Sequence, residues 1–176
     1  GLGAVGICAL ATLKALKIKN VSIIEPNSKR SEIAKKLGFK EIFNPKNKKM
    51  INIIHRKYPN GFDSCIECAG YTKTIELGFS LINQKHGKLI FASHPSNDKK
   101  ISLNPHDLIK GKRLIGSWGG NCLPIRDIPK IFKLFERNDI NLSKFFNKIY
   151  SFKNINNAIL DFKKGKAIRP LIKMKH

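Results

Sequence analysis

Three glycines and one carboxylate near the start of the chain are the groups whose spacing points to chemistry. Gly1, Gly3 and Gly6 stand as G-x-G-x-x-G in GLGAVG, ahead of an apolar stretch rich in small residues. In such a turn the first glycine permits a sharp bend and the second lets backbone approach a pyrophosphate. The third lets the following helix pack close to its strand. The helix start adds free N–H groups and the positive end of the helix dipole. The glycines alone are a weak signal. Glu25 strengthens it, because it stands nineteen positions after Gly6 at the end of the next β-branched run. A carboxylate there accepts hydrogen bonds from ribose hydroxyls and repels a 2′-phosphate. The pattern therefore points to a dinucleotide, with NAD favoured over NADP. Lys29 and Arg30 follow closely and could neutralise a phosphate, which works against that preference.

These groups need a strand and helix frame to hold them. VGICALATLKALKI is apolar on nearly every side and reads as a helix buried against a sheet. VSIIE is a short strand. NSKRSEIAKKLG is a helix with Asn27 or Ser28 as its cap and Gly38 as its stop. KEIFN is a strand, and KKMINIIHRKY a helix with Met50, Ile53, Ile54 and Tyr58 along one face. GFDSCIECAG, GKLIFAS and RLIGSW read as strands, TKTIELGFSLI as a helix, and NPHDLIKGK as a short helix and turn. Strands alternating with helices imply right-handed crossovers and a doubly wound parallel α/β sheet of the Rossmann type.

After Trp118 the pattern changes. GGNCLP is a loop, and IRDIPKIFKLFERND is a helix expected to bury Ile128, Ile131, Phe132 and Leu134. FFNKIYSF is expected to be extended, INNAILDFKKGK to be a helix ending at Gly165, and AIRPLIKM a last strand. The expected division is a nucleotide-binding domain over 1–118 and a segment over 119–176 that packs elsewhere.

Composition limits the other readings. No apolar run approaches the roughly 18 residues of a membrane span. Four cysteines in 176 residues do not make a disulfide scaffold, so free thiols in a reducing compartment are expected. The 34 Lys and Arg against 12 Asp and Glu give a net charge of +22, which would attract polyanions. The lysines are spread along the whole chain, however, without interleaved aromatic residues. This reads as compositional bias rather than a nucleic-acid footprint. Cys65 and Cys68 form a C-x-x-C on a predicted strand, where their side chains point to opposite faces, and no second pair follows. They read as packing residues. His55 and His106 read as solvated, and His94, after a strand end, is the one histidine placed near the expected crevice.

The run from GLGAVG through KEIFNP resembles the coenzyme-binding half of medium-chain, zinc-type alcohol dehydrogenases. The resemblance continues through GFDSCIECAG, GKLIFAS, RLIGSWGG and the tail to LIKM, so it covers essentially the whole chain. The tail is most similar to the aryl-alcohol and benzyl-alcohol dehydrogenase branch. The resemblance implies a role for particular residues. Gly1, Gly3 and Gly6 would form the pyrophosphate turn, with Leu2, Ala4 and Val5 as backbone donors. Glu25 would be the ribose acid, with Arg30 beside it. Cys68, Ala69 and Gly70 would flank the adenine side, Ala92 and Ser117 would hold the nicotinamide carboxamide, and Arg169 would reach back to the phosphates.

The same resemblance implies hydride transfer between an alcohol and NAD. The zinc ligands of such enzymes, a Cys, a His-Glu pair and a further Cys, lie N-terminal to the glycine turn, as does the first strand of the sheet. Zinc and the catalytic residues are therefore expected only in an N-terminal domain outside these residues, and the chain is expected to be inactive alone. The implied partners are an alcohol or aldehyde substrate and further copies in a homodimer or homotetramer of the intact protein, with neither nucleic acid nor membrane. The implied location is the cytoplasm. Two alternatives are a zinc-independent quinone or enoyl reductase of the same superfamily, and a basic polyanion-binding protein.

Overall fold

The computed structural model describes residues 1–146 and 148–174. Helices and strands alternate as expected through the first two thirds. The order is α1 (Ala4–Ala15), β1 (Ile23–Ile24), α2 (Ser28–Lys36), β2 (Ile42–Phe43), α3 (Met50–Lys57), β3 (Ser64–Glu67), α4 (Thr72–Leu81), β4 (Lys88–Phe91), α5 (Pro105–Ile109) and β5 (Arg113–Gly116). The tail supplies α6 (Pro124–Arg137), β6 (Ile149–Ser151), α7 (Ile155–Lys163) and β7 (Leu171–Lys173). All the strand pairings are parallel. β1 pairs with β2, β4 lies between β3 and β5, and β6 pairs with β7. Among the described residues β1 and β3 are not paired with each other. Gly1 and Leu2 lie between their carboxyl ends. The Leu2 N–H reaches Glu25 after β1, and Gly1 sits so close to Ala69 after β3 that a Cβ on it would come within 2.9 Å of the alanine Cβ.

α1 is apolar on two sides because it is covered on two sides. Ile7 and Leu10 pack with Leu2, Ile23, Ala34, Leu37 and Phe39. Ala11 and Ala15 receive Leu134, Phe135 and Ile140 from the tail. Their small side chains allow this close approach. Ile75, Phe79 and Ile82 of the α4 region close over Leu89 of β4. Lys112, at the entry to β5, is buried and donates its ammonium to the Phe79 carbonyl at 3.0 Å, which ties that strand to α4. Asn27 caps α2 by accepting the Arg30 N–H at 3.2 Å, and Gly38 ends it at φ 98.

The packing departs from the sequence expectation in α3, in α6 and in the run after it that ends in β6. Ile128, Ile131 and Phe132 of α6 are exposed, because that helix meets α1 through Leu134 and Phe135 near its carboxyl end. The apolar stripe exists, but most of it is uncovered. Ile53 of α3 is also exposed, while Met50 and Ile54 go inward. Phe145 and Phe146, expected to be extended, fold back onto the core around α1, so only Ile149–Ser151 of that run is strand. Asn147 of the run lies outside the described residues.

Candidate functional site

The carboxyl ends of β1, β3, β4 and β5 bring the singled-out residues to one edge of the fold. Gly3 is the N-cap of α1, with φ −69 and ψ −169, and no side chain caps the helix. The Gly3 carbonyl accepts the Ile7 N–H at 2.9 Å. The N–H groups of Ala4, Val5 and Gly6 therefore have no partner within the helix. An added Cβ would meet nothing within 4 Å at Gly3. The protein itself does not require glycine there. Close approach of a ligand to the backbone would. Gly6 is different, because a Cβ on it would run into the Gly1 carbonyl oxygen. Gly6 serves the tight turn, and Gly3 leaves a cradle open.

Glu25 is only 3% exposed and accepts two backbone N–H groups, from Leu2 at 2.5 Å and from Asn27 at 2.9 Å. Leu2 thus differs from its expected part as a phosphate donor. Its N–H is taken by Glu25, and its side chain is buried in the core around α1. It anchors the turn instead. A carboxylate has about four lone-pair positions, so Glu25 keeps acceptor capacity for a ribose hydroxyl. Arg30 lies nearby, and its Nε is buried without a hydrogen-bond partner among the described residues. A Cβ on Gly165, after α7, would stand 3.6 Å from Asn27 Nδ2 and 3.7 Å from Arg30 Nη2, so the tail borders this corner. Arg169 is exposed. Burial pushes the Cys8 thiol up, and the Arg169 guanidinium pulls it partly back.

On the other side of the turn, Cys68, Ala69 and Gly70 follow β3. Burial pushes the Cys68 thiol up and that of Cys65 further, to about 11, in keeping with packing roles. The Ala92 N–H donates to the Glu67 carbonyl at 3.1 Å, and the Ser117 N–H to that of Phe91 at 3.0 Å. Both residues are thereby fixed one step past their strands, and no backbone donor among the described residues takes their own carbonyls. His94 packs edge-on against Trp118, with ring centroids 4.7 Å apart, and Trp118 is 81% exposed. His55 and His106 are exposed.

The sequence reading missed Glu67. It is the last residue of β3 and 5% exposed, although no cation pairs with it among the described residues. The signal for it was an acid at the end of a strand run, the same position that singled out Glu25. Among the described residues no three His, Cys, Asp or Glu side chains gather as metal ligands. No helix among them is long and apolar enough to cross a membrane. A cleft of about 540 Å³ between Asp63, Lys88 and Arg113 lies at the opposite, amino-terminal end of β3–β5. Another of about 660 Å³ lies around Lys36, Phe145 and Lys166. Neither includes the glycine turn. The site is built from backbone donors at strand ends.

Parallel strands whose carboxyl ends surround an uncapped helix start, with a buried acid after the next strand, are the arrangement that dinucleotide-binding α/β folds share. The chain belongs to the zinc-binding dehydrogenase family, whose model matches residues 4–137. It is 30% identical over 176 residues to alcohol dehydrogenase 1 of Pisum sativum, covering 99% of this chain and 46% of that protein. It is 26% identical to benzyl alcohol dehydrogenase from Acinetobacter calcoaceticus, with a TM-score of 0.89 over 99% of this chain and 48% of that one. An Escherichia coli alcohol dehydrogenase complexed with NADH, 16% identical, shares the fold at a TM-score of 0.80, covering 98% of this chain and 49% of that one. The chain spans about half the length of the curated relatives it matches.

Proposed function

We propose that this chain is the NAD-binding part of a zinc-dependent alcohol dehydrogenase acting on an alcohol and its aldehyde or ketone. The observation that carries this reading is the Gly3 cradle, open to ligand and faced by helix-start N–H groups that no side chain caps. The pyrophosphate would be held by Gly1, Gly3, Ala4, Val5 and Gly6, with Arg169 adding charge. Glu25 would accept from the adenosine ribose, beside Arg30. Cys68, Ala69 and Gly70 would line one wall, and Ala92 and Ser117 would offer main-chain groups to the carboxamide. When bound, NAD supplies the hydride acceptor and zinc supplies a Lewis acid that lowers the pKa of the alcohol.

The zinc ligands in this reading belong to residues N-terminal to the turn, and a strand from that part would lie between β1 and β3, which are not paired with each other among the described residues. Residues 1–118 form the NAD-binding domain. Residues 119–176 return toward the catalytic part, which would cover the exposed Ile125, Ile128 and Phe132 of α6. The intact protein is cytoplasmic and forms a homodimer or homotetramer, with exposed Ile109 and Ile115 at the β5 side as the contact. Calorimetric titration of the chain with NADH and NADPH tests the reading. It expects NADH to bind more tightly, with no alcohol oxidation by the chain alone. Binding of neither nucleotide would defeat it, and significant hydride transfer would defeat the assignment of catalysis to other residues.

A further inference from the structure

One buried ionisable group at this edge has no part in the reading above. Glu67 Oε1 accepts the Ala69 N–H at 2.6 Å, the Gly70 N–H at 3.1 Å and the Thr74 hydroxyl at 2.8 Å. Its Oε2 accepts the Ser93 hydroxyl. A buried carboxylate is costly unless donors take its lone pairs. Here four donors come from three separate segments: the turn after β3, the first turn of α4, and the loop after β4. The two oxygens divide the work. Three bonds on Oε1 are local to β3 and α4, and the bond on Oε2 alone reaches the next loop.

That loop has no regular structure over 92–96, so a side-chain tie matters to its position. Ser93 is followed by His94, which packs against Trp118 after β5. A line of contacts therefore runs from Glu67 through Ser93 and His94 to Trp118, across the ends of β3, β4 and β5. At its other end, Ala69 abuts Gly1 of the glycine turn.

We propose that Glu67 is a positioning residue for the nicotinamide end of the cofactor site. It fixes the wall at Cys68–Gly70 against the wall at Ser93–His94, and through His94 it sets the place of Trp118. This rests on the NAD reading. Glu67 is not a catalytic residue, since it acts only through the segments it holds.

The test uses the full 176-residue chain with Ser93→Ala and Glu67→Gln, and Ser96→Ala as control. Trp118 is the only tryptophan, so its fluorescence reports the end of the line. Ser93→Ala removes the tie and leaves the three bonds on Oε1. Without cofactor, Ser93→Ala and Glu67→Gln should change acrylamide quenching of Trp118, and Ser96→Ala should not. Both should weaken NADH binding about tenfold, the order expected for one hydrogen bond to a charged group. In Ser93→Ala, which leaves the Ala69 and Gly70 bonds in place, binding of ADP-ribose, which lacks the nicotinamide, should change less than about twofold by the same reasoning. Ser93→Thr keeps the hydroxyl and should restore both readouts. In Ser93→Ala, equal weakening of NADH and ADP-ribose, or unchanged Trp118 quenching, overturns the proposal while the NAD reading stands. If the unsubstituted chain binds neither ligand, the NAD reading fails and takes this proposal with it.

Discussion

The Glu25 carboxylate accepts the Leu2 N–H at 2.5 Å, so the acid proposed for the ribose also holds the glycine turn in place. One buried side chain thus couples two parts of the proposed cofactor site that lie 23 residues apart in sequence. Glu25→Ala should leave the Leu2 and Asn27 N–H groups without their acceptor and destabilise the chain by about 2–3 kcal/mol. Urea unfolding measures this. The same change removes a negative charge near the 2′ position, so the NADPH-to-NADH affinity ratio should rise at least about tenfold. An unchanged ratio would show that Glu25 only braces the fold.

Two glycines of the same motif should fail in different ways. Gly3→Ala puts a methyl where no protein atom lies within 4 Å, at a φ of −69 that alanine adopts freely. Its effect on stability should stay below about 1 kcal/mol, the scale of an N-cap change. Its effect on NADH affinity should be large. Gly6→Ala drives a methyl into the Gly1 carbonyl and should cost on the order of 1–3 kcal/mol through forced backbone shift. Thermal melts paired with NADH titration separate the two. Equal loss of stability in both variants would contradict the assignment of Gly3 to ligand approach.

The thiols should differ in reactivity by burial. Cys122 is exposed, whereas burial holds the Cys65 thiol at about 11. At pH 8 a disulfide reagent should modify Cys122 first and Cys65 last, measured by peptide mass. The raised value also gives stability a pH dependence. The unfolded thiol ionises from about 9 upward, while the folded one resists until about 11. Stability from this group is complete below about pH 9 and falls as pH rises toward 11, by at most about 2–3 kcal/mol. The Cys65→Ala variant should show a shallower alkaline decline. An identical decline would assign it to other groups.

The sequence made the α/β alternation, the Asn27 cap and the Gly38 stop readable because each depends on neighbours in the chain. The places of Gly1 and Gly6 before and within a helix start, and of Glu25 just after a strand, were readable from the same local spacing. What it did not disclose depends on packing between distant segments. α6 carries a clear apolar stripe, but periodicity does not say which part is covered, and only its Leu134–Phe135 end meets α1. Leu2 looked like a donor because the motif ends at the backbone, whereas Glu25 claims its N–H after folding. Glu67 gained its place only when the turn after β3, α4 and the loop after β4 converged on it. The paired strands are also shorter than the β-branched runs, because a ladder extends only as far as its neighbour does.

The most direct test of the dinucleotide site is energy transfer from Trp118 to bound NADH. The single tryptophan lies just past β5, at the edge where the nicotinamide would sit. Titration with NADH should quench Trp118 emission saturably and raise nicotinamide emission excited through the tryptophan. ADP-ribose should reverse the effect, and Gly3→Val should abolish it without unfolding the chain. Absence of transfer at millimolar NADH, or the same transfer in Gly3→Val, would contradict binding at the glycine turn.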